Sequence, residues 1–194
     1  MGKVSIIKIT GKLKQSLSRL IDLLGGLNHF IAHDDKVLLK PNLNDFESYT
    51  SIDLSAALIE LLLDFKVQNI FIAESTYGNE HITHQHFIKT GYVELAKKYN
   101  IKLVNLNKSQ VIMLKVEKPL LLPELQIARE VFWASKIVNL PVMKVHYATG
   151  VTLALKNLKG FLAKDEKKHF HETGLDKAIV DLNNSIKPAL NIID

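Results

Sequence analysis

Short apolar runs alternate along this chain with segments of helical periodicity, and the runs stop on proline or on polar groups. Residues 36–40 read as a strand closed by Pro41, and residues 69–73 as a strand running into Glu74-Ser75-Thr76. Residues 136–140 read as a strand that meets Pro141 and, a few residues later, Lys144 and His146. Residues 3–9, 102–105 and 190–193 carry the same strand-like pattern. Between them Leu13, Leu17, Leu20, Leu24 and Leu27 recur at helical spacing, predicting an amphipathic helix over 12–24 that ends at Gly25-Gly26. Residues 54–65, 87–99 (with a break near Gly91) and 175–186 are further helical segments, the first and last preceded by possible caps at Thr50/Asp53 and Thr173/Asp176. Strands alternating with helices predict an α/β fold, a mostly parallel sheet with helices on both faces. Residues 111–116 and 125–128, linked around Pro119 and Pro123, predict a small antiparallel excursion near 110–128. No repeat or linker divides the chain, so a single domain over 1–194 is expected.

In an open parallel sheet, ligands sit beyond the carboxyl ends of the strands. Three polar clusters fall at such ends: Lys40 with Asn42, Glu74 with Ser75, and Lys144 with His146. Lys40 precedes a proline, which holds it extended. It reads as an anion- or carbonyl-binding group, or as a solvated strand-end lysine, with Asn42 offering a donor and an acceptor. Glu74 reads as a base, a metal ligand, or the ion-pair partner of Lys40 or Lys144. Lys144 and His146 share a face if the backbone is extended. A lysine there would favour the neutral imidazole.

The apolar stretch 151–160 carries Thr152, Lys156 and Asn157. Read as a helix, it puts Thr152 and Lys156 on one face, where a lysine among leucines is costly unless paired or aimed at a ligand. His81, His84 and His86 suit a solvated surface better than a metal site, because Glu80 is the one carboxylate beside them. Residues 164–173, with His169 and His171, read as a flexible charged loop or as a lid. From Lys144 to Lys168 six lysines face only Asp165 and Glu166, a field that would draw an anion.

Composition narrows the function. There is no cysteine, which removes disulfides, thiol nucleophiles and a protein-ligated iron–sulfur cluster; other cofactors stay open. The net charge is +5, yet only Arg19 and Arg129 among 25 basic residues are arginine, so the surplus is weak evidence for nucleic acid; it reads as compositional bias with a solvated surface, or as a site for an anionic small molecule. No stretch is long and apolar enough for a membrane span, and the amino terminus lacks a leader pattern, so a cytoplasmic protein is expected. The Rossmann, P-loop, zinc-protease and hydrolase-elbow motifs are absent.

The segments LLKPNL at 38–43, IAES at 72–75, IVNLPVMKVH at 137–146 and VTLALKNLKG at 151–160, in that order, resemble the DUF362 family. His171, the helix around Asp181 and the stretch from Lys187-Pro188 to Asp194 are similar to its pattern as well. The resemblance implies an α/β domain whose motif positions line one cleft, here Lys40, Asn42, Glu74, Lys144, His146, Thr152, Lys156 and Asn157. Many relatives carry a ferredoxin-like segment with two four-iron clusters, for which this chain has no cysteines. Relatives also continue beyond the position of Asp194, so a truncated or split member, or a partner chain completing the domain, is implied.

The expectation is therefore a lysine- and histidine-lined cleft for an anionic small molecule or cofactor. If the protein is an enzyme, Lys144 and Lys156 hold the anion, His146 is the acid/base group, and Glu74 orients it or binds a metal. The alternatives are a non-catalytic subunit acting through a partner or a second copy, and, more weakly, a nucleic-acid binder.

Overall fold

The computed structural model describes residues 2–194. Its elements run in the order α1 (Leu13–Asp22), β1 (Lys36–Pro41), α2 (Ile52–Asp64), β2 (Asn69–Glu74), α3 (Glu80–Lys89), α4 (Tyr92–Tyr99), β3 (Lys102–Asn105), β4 (Val111–Lys115), β5 (Glu124–Ala128) and β6 (Lys136–Leu140). They continue with β7 (Lys144–His146), β8 (Gly150–Thr152), α5 (Ala154–Asn157), α6 (Lys164–Thr173), α7 (Leu175–Ser185) and β9 (Leu190–Asn191). Five strands form one sheet in the order β3-β2-β1-β6-β9, every pair parallel. The chain builds outward from β1 to β3, then returns to lay β6 on the other side of β1. The crevice where strand order reverses therefore lies at the carboxyl ends of β1 and β6, the place where such sheets bind ligands.

Strand residues alternate between two apolar layers, as the period of an extended chain requires. Val37, Leu39, Ile70, Ile72 and Val138 pack with Leu54, Leu58 and Leu62 of α2 and Leu17 of α1. Leu38, Phe71, Ala73 and Val104 face the opposite layer, with Leu125 and Ile127 of β5, Phe170 of α6 and Leu182 of α7. Both faces are covered, which is why β1 and β2 read as unbroken apolar runs. Each fully buried leucine contributes about 2 kcal/mol.

Local chemistry sets the boundaries. Ser51, one residue after Thr50, caps α2: its Oγ accepts from the Leu54 N–H. Thr50 instead stitches the crevice, accepting from Asn42 N at 2.8 Å and donating to the Leu140 carbonyl at 2.6 Å. Gly91, at φ 79°, makes the predicted break between α3 and α4. The excursion at 110–128 is the antiparallel β4–β5 pair.

Several local expectations are overturned. Residues 3–9 form no strand: Val4 and Ile6 are exposed and find no neighbour to pair with. The stretch 151–160 is not one helix. Gly150, at φ 69°, turns a β7–β8 hairpin in which Thr152 pairs with Lys144; only Ala154–Asn157 is α-helical, and a tighter 3-10 turn follows to Phe161. Thr152 and Lys156 therefore do not share a helical face. Residues 164–173 are a helix, not a loop, because Phe170, Glu166 and Lys167 turn inward. Gly174, not Thr173, precedes α7, with no side-chain cap.

Candidate functional site

The carboxyl ends of β1, β2 and β6 meet the β7–β8 hairpin, the turn after α5 and helix α6 around a cleft of about 600 Å³. Its lining includes Asn42, Glu74, Lys144, His146, Thr152, Lys156 and Asn157, the sequence candidates apart from Lys40, together with Lys159, Lys167 and His171. Pieces of chain more than a hundred residues apart converge because the sheet reverses its order here.

Lys40 lies beneath the cleft floor, fully buried. Its Nζ donates to Glu74 Oε2 at 2.6 Å and to the Pro41 carbonyl at 2.8 Å. Burial lowers the Lys40 pKa, and the Glu74 charge counters part of that. The other Glu74 oxygen accepts from Ser75 N at 2.7 Å. Both carboxylate oxygens are thus engaged away from His146. Gly160 closes over the pair: a Cβ there would stand 2.1 Å from Glu74 Oε1 and 2.7 Å from Lys40 Nζ. The glycine is required by close approach rather than by φ.

Four asparagines tie the floor to the neighbouring strands. Asn157 Oδ1 accepts from Asn42 Nδ2 at 3.1 Å, and its Nδ2 donates to Asn139 Oδ1 at 2.8 Å and to the Lys40 carbonyl at 3.2 Å. Asn139 Nδ2 donates in turn to Asn191 Oδ1 on β9 at 2.8 Å. Asn42 and Asn157 are buried and satisfied within this network, so they hold the cleft's shape.

The walls are cationic. Lys144 Nζ donates to the Ser48 carbonyl at 2.9 Å and stands 3.7 Å from Asp45. Lys156, Lys159 and Lys167 have no carboxylate partner among the described residues. Burial, then the Lys144 charge, lowers the Lys156 pKa. Burial, then the charges of Lys156 and Lys167, pushes Lys159 down to about 7. Lys167 is pushed down to about 8, mainly by burial, although its Nζ donates to Ser75 Oγ and to the carbonyls of Ser75 and Thr76, both at 3.2 Å. Those acceptors hold its protons in place.

His146 Nδ1 accepts from two backbone donors, Ala148 N at 3.2 Å and Thr149 N at 3.3 Å, and lies 3.1 Å from Thr149 Oγ1. A nitrogen that accepts backbone N–H bonds keeps its lone pair, so the neutral ring carries its proton on Nε2. Burial and then Lys156, Lys159 and Lys144 lower the His146 pKa. Thr152 is 3% exposed and lines the cleft, yet its Oγ1 has no hydrogen-bond partner. A buried hydroxyl left unpaired costs about 1–3 kcal/mol.

Elsewhere, His81 and His84 are exposed on α3, and His86 is buried, stacked on Phe46. No group of three or more potential metal ligands occurs among the described residues. Asp181 is buried and accepts from the backbone N–H groups of Leu120, Leu121 and Leu122, anchoring the loop between β4 and β5. Lys159 and Lys167 were not singled out from sequence. The signal for Lys159 was a lysine held between Leu158 and Gly160-Phe161; Lys167 sits in a run of charge whose inward face only Phe170 marks.

A model of the DUF362 family, a domain of unknown function, matches residues 37–194. The thylakoid-associated protein sll1697 of a Synechocystis species is 27% identical over 195 residues, a match covering 95% of this chain and 59% of that protein. The lactate racemase apoprotein from Thermoanaerobacterium thermosaccharolyticum shares the fold at a TM-score of 0.57 and 16% identity, over 94% of this chain and 49% of its own. The chain thus spans about half the length of these proteins. No helix among the described residues is long and apolar enough to cross a membrane.

Proposed function

Given that this chain belongs to the DUF362 family, we propose that its cleft binds an anionic small molecule or cofactor. The carrying observation is the combination of three carboxylate-free lysines, Lys156, Lys159 and Lys167, with the unpartnered Thr152 hydroxyl on the same lining. An anion supplies what each of these groups lacks: countercharge for the ammoniums, and an acceptor for the hydroxyl. Lys144 and Lys156 hold the anion from the hairpin side, and the Nε2–H of His146 is the acid/base group. Glu74 serves from below, through Lys40 and Ser75, as a positioning residue. On this reading the protein works in the cytoplasm, and its partner is a small anion rather than nucleic acid.

A second reading, a subunit completed by a partner chain or another copy, is favoured by one observation. Val145 and Tyr147, 90% and 88% exposed on the hairpin beside the cleft, form an apolar edge. Sedimentation showing a stable dimer would support it.

The anion reading is tested by thermal unfolding in phosphate and in chloride at equal ionic strength. A midpoint that rises and saturates with phosphate is expected. Identical midpoints in the two salts would overturn it.

A further inference from the structure

Lys159 differs from the other lysines of the cleft in what surrounds its nitrogen. It is 9% exposed, and its hydrogen bond, to the Lys167 carbonyl, is 3.4 Å long. Lys40 is fixed by Glu74, Lys144 by Ser48 and Asp45, and Lys167 by Ser75 and Thr76. The charged and titratable groups around Lys159 are Lys156 on α5, Lys167, Lys168, His171 and Glu172 on α6, and His146 on the hairpin, above the Lys40–Glu74 pair of the floor. The two carboxylates among them are already paired, Glu74 with Lys40 and Glu172 with Lys168. The Phe170 ring lies 5.7 Å from the Lys159 nitrogen. A buried amine among cations, with one long hydrogen bond and an open cleft beside it, has its lone pair available.

We propose that Lys159 is a nucleophilic amine that forms an imine with an aldehyde or ketone carried by an anionic molecule bound in this cleft. The inference rests on the anion-binding reading and adds the substrate class: a carbonyl compound bearing a phosphate or carboxylate. The Lys159 lone pair adds to the carbonyl carbon, and the C=O π pair moves to oxygen. Nitrogen gives up a proton and oxygen takes one, leaving a carbinolamine. The C–O bond then breaks with protonation of the hydroxyl, one water leaves, and the nitrogen lone pair closes the C=N bond. No oxidant or reductant is needed. His146 and His171 line the same cleft and can carry these protons, both with pKa values lowered by burial and by the neighbouring lysines. The same surroundings bring Lys159 down to about 7, so the free amine is accessible near neutral pH.

The test uses the wild-type chain with three probes: pyridoxal 5′-phosphate, pyridoxal without the phosphate, and pyridoxine 5′-phosphate, which lacks the aldehyde. Borohydride reduction followed by peptide mass mapping locates any imine. The expected result is reduced adduct on Lys159 at least about tenfold above any other lysine with pyridoxal 5′-phosphate. Adduct formation should be competed by pyridoxine 5′-phosphate, slower with pyridoxal, and lost at this position in Lys159→Met. Adduct spread over exposed lysines such as Lys168, with pyridoxine 5′-phosphate still binding, would overturn the imine and leave the anion site standing. Adduct on Lys159 equally fast with pyridoxal and without competition would overturn the proposal as stated, because the amine would then react without an anion site. Absence of both adduct and binding would overturn the two readings together.

Discussion

The Lys40 ammonium lies 2.6 Å from the Glu74 carboxylate, and Gly160 packs its α-carbon over both. A cation from β1, an anion from β2 and the turn after α5 are locked together under the cleft floor. The cationic walls stand on this base, and its geometry sets where Lys159 begins its reach.

Gly160→Ala is therefore expected to destabilise the protein by roughly 2–4 kcal/mol, since the new methyl must displace a buried ion pair. Gly150→Ala is the control. Nothing lies within 4 Å of a Cβ there, so the cost is confined to its φ of 69° and should be about 1 kcal/mol. Urea unfolding of the two variants checks the difference.

Breaking the pair from one side should cost more than removing it. Lys40→Met leaves a buried carboxylate, and Glu74→Gln a buried ammonium; each is expected to lose roughly 3–5 kcal/mol. The double variant should recover part of that loss. A double-mutant cycle by chemical denaturation reads the coupling, and simple additivity would mean the two charges act independently.

Thr152→Val should have opposite effects on stability and binding. It replaces an unpartnered buried hydroxyl by a methyl of the same shape, so the ligand-free protein should gain about 1 kcal/mol. Phosphate-dependent stabilisation should shrink, because the hydroxyl that would meet the anion is gone. Thermal melts with and without phosphate measure both.

The pH dependence of stability carries the mark of the buried lysines. Lys159 binds its proton more weakly in the folded state, near pH 7, than in the unfolded chain, near the ordinary lysine value. Between those values the unfolded state holds more protons, so this group makes stability rise with pH from about 7 toward 10. Below pH 7 its cost is fully present. Lys159→Met should stabilise the protein at pH 6 by about 1–3 kcal/mol after allowance for solvent screening, and flatten that rise. Denaturation midpoints across pH 6–10 test the sign.

The alternation of apolar runs with helical segments carried the parallel sheet, because the central strands β1 and β2 are buried on both faces and so read as unbroken apolar runs. The cleft's place followed from the polar ends of β1, β2 and β6. Two features lay beyond local pattern. The hairpin at Thr152 needed a turn that the leucine-rich stretch after it concealed. Helix α6 owes its inward face to burial of Lys167 and Glu166 against the rest of the fold, which no periodicity of apolar residues announces. Lys40 was legible as either a ligand group or a structural ion. Its partner is Glu74, and that choice depends on the register of two strands thirty-odd positions apart.

Calorimetric titration with inorganic pyrophosphate, on the wild-type chain and on Lys156→Ala, puts the anion cleft to its most direct trial. Saturable binding is predicted for the wild type, weakened about tenfold in Lys156→Ala with the unfolding midpoint nearly unchanged. Heat no greater than dilution for the wild type, or an affinity that Lys156→Ala leaves unaltered, would contradict the account.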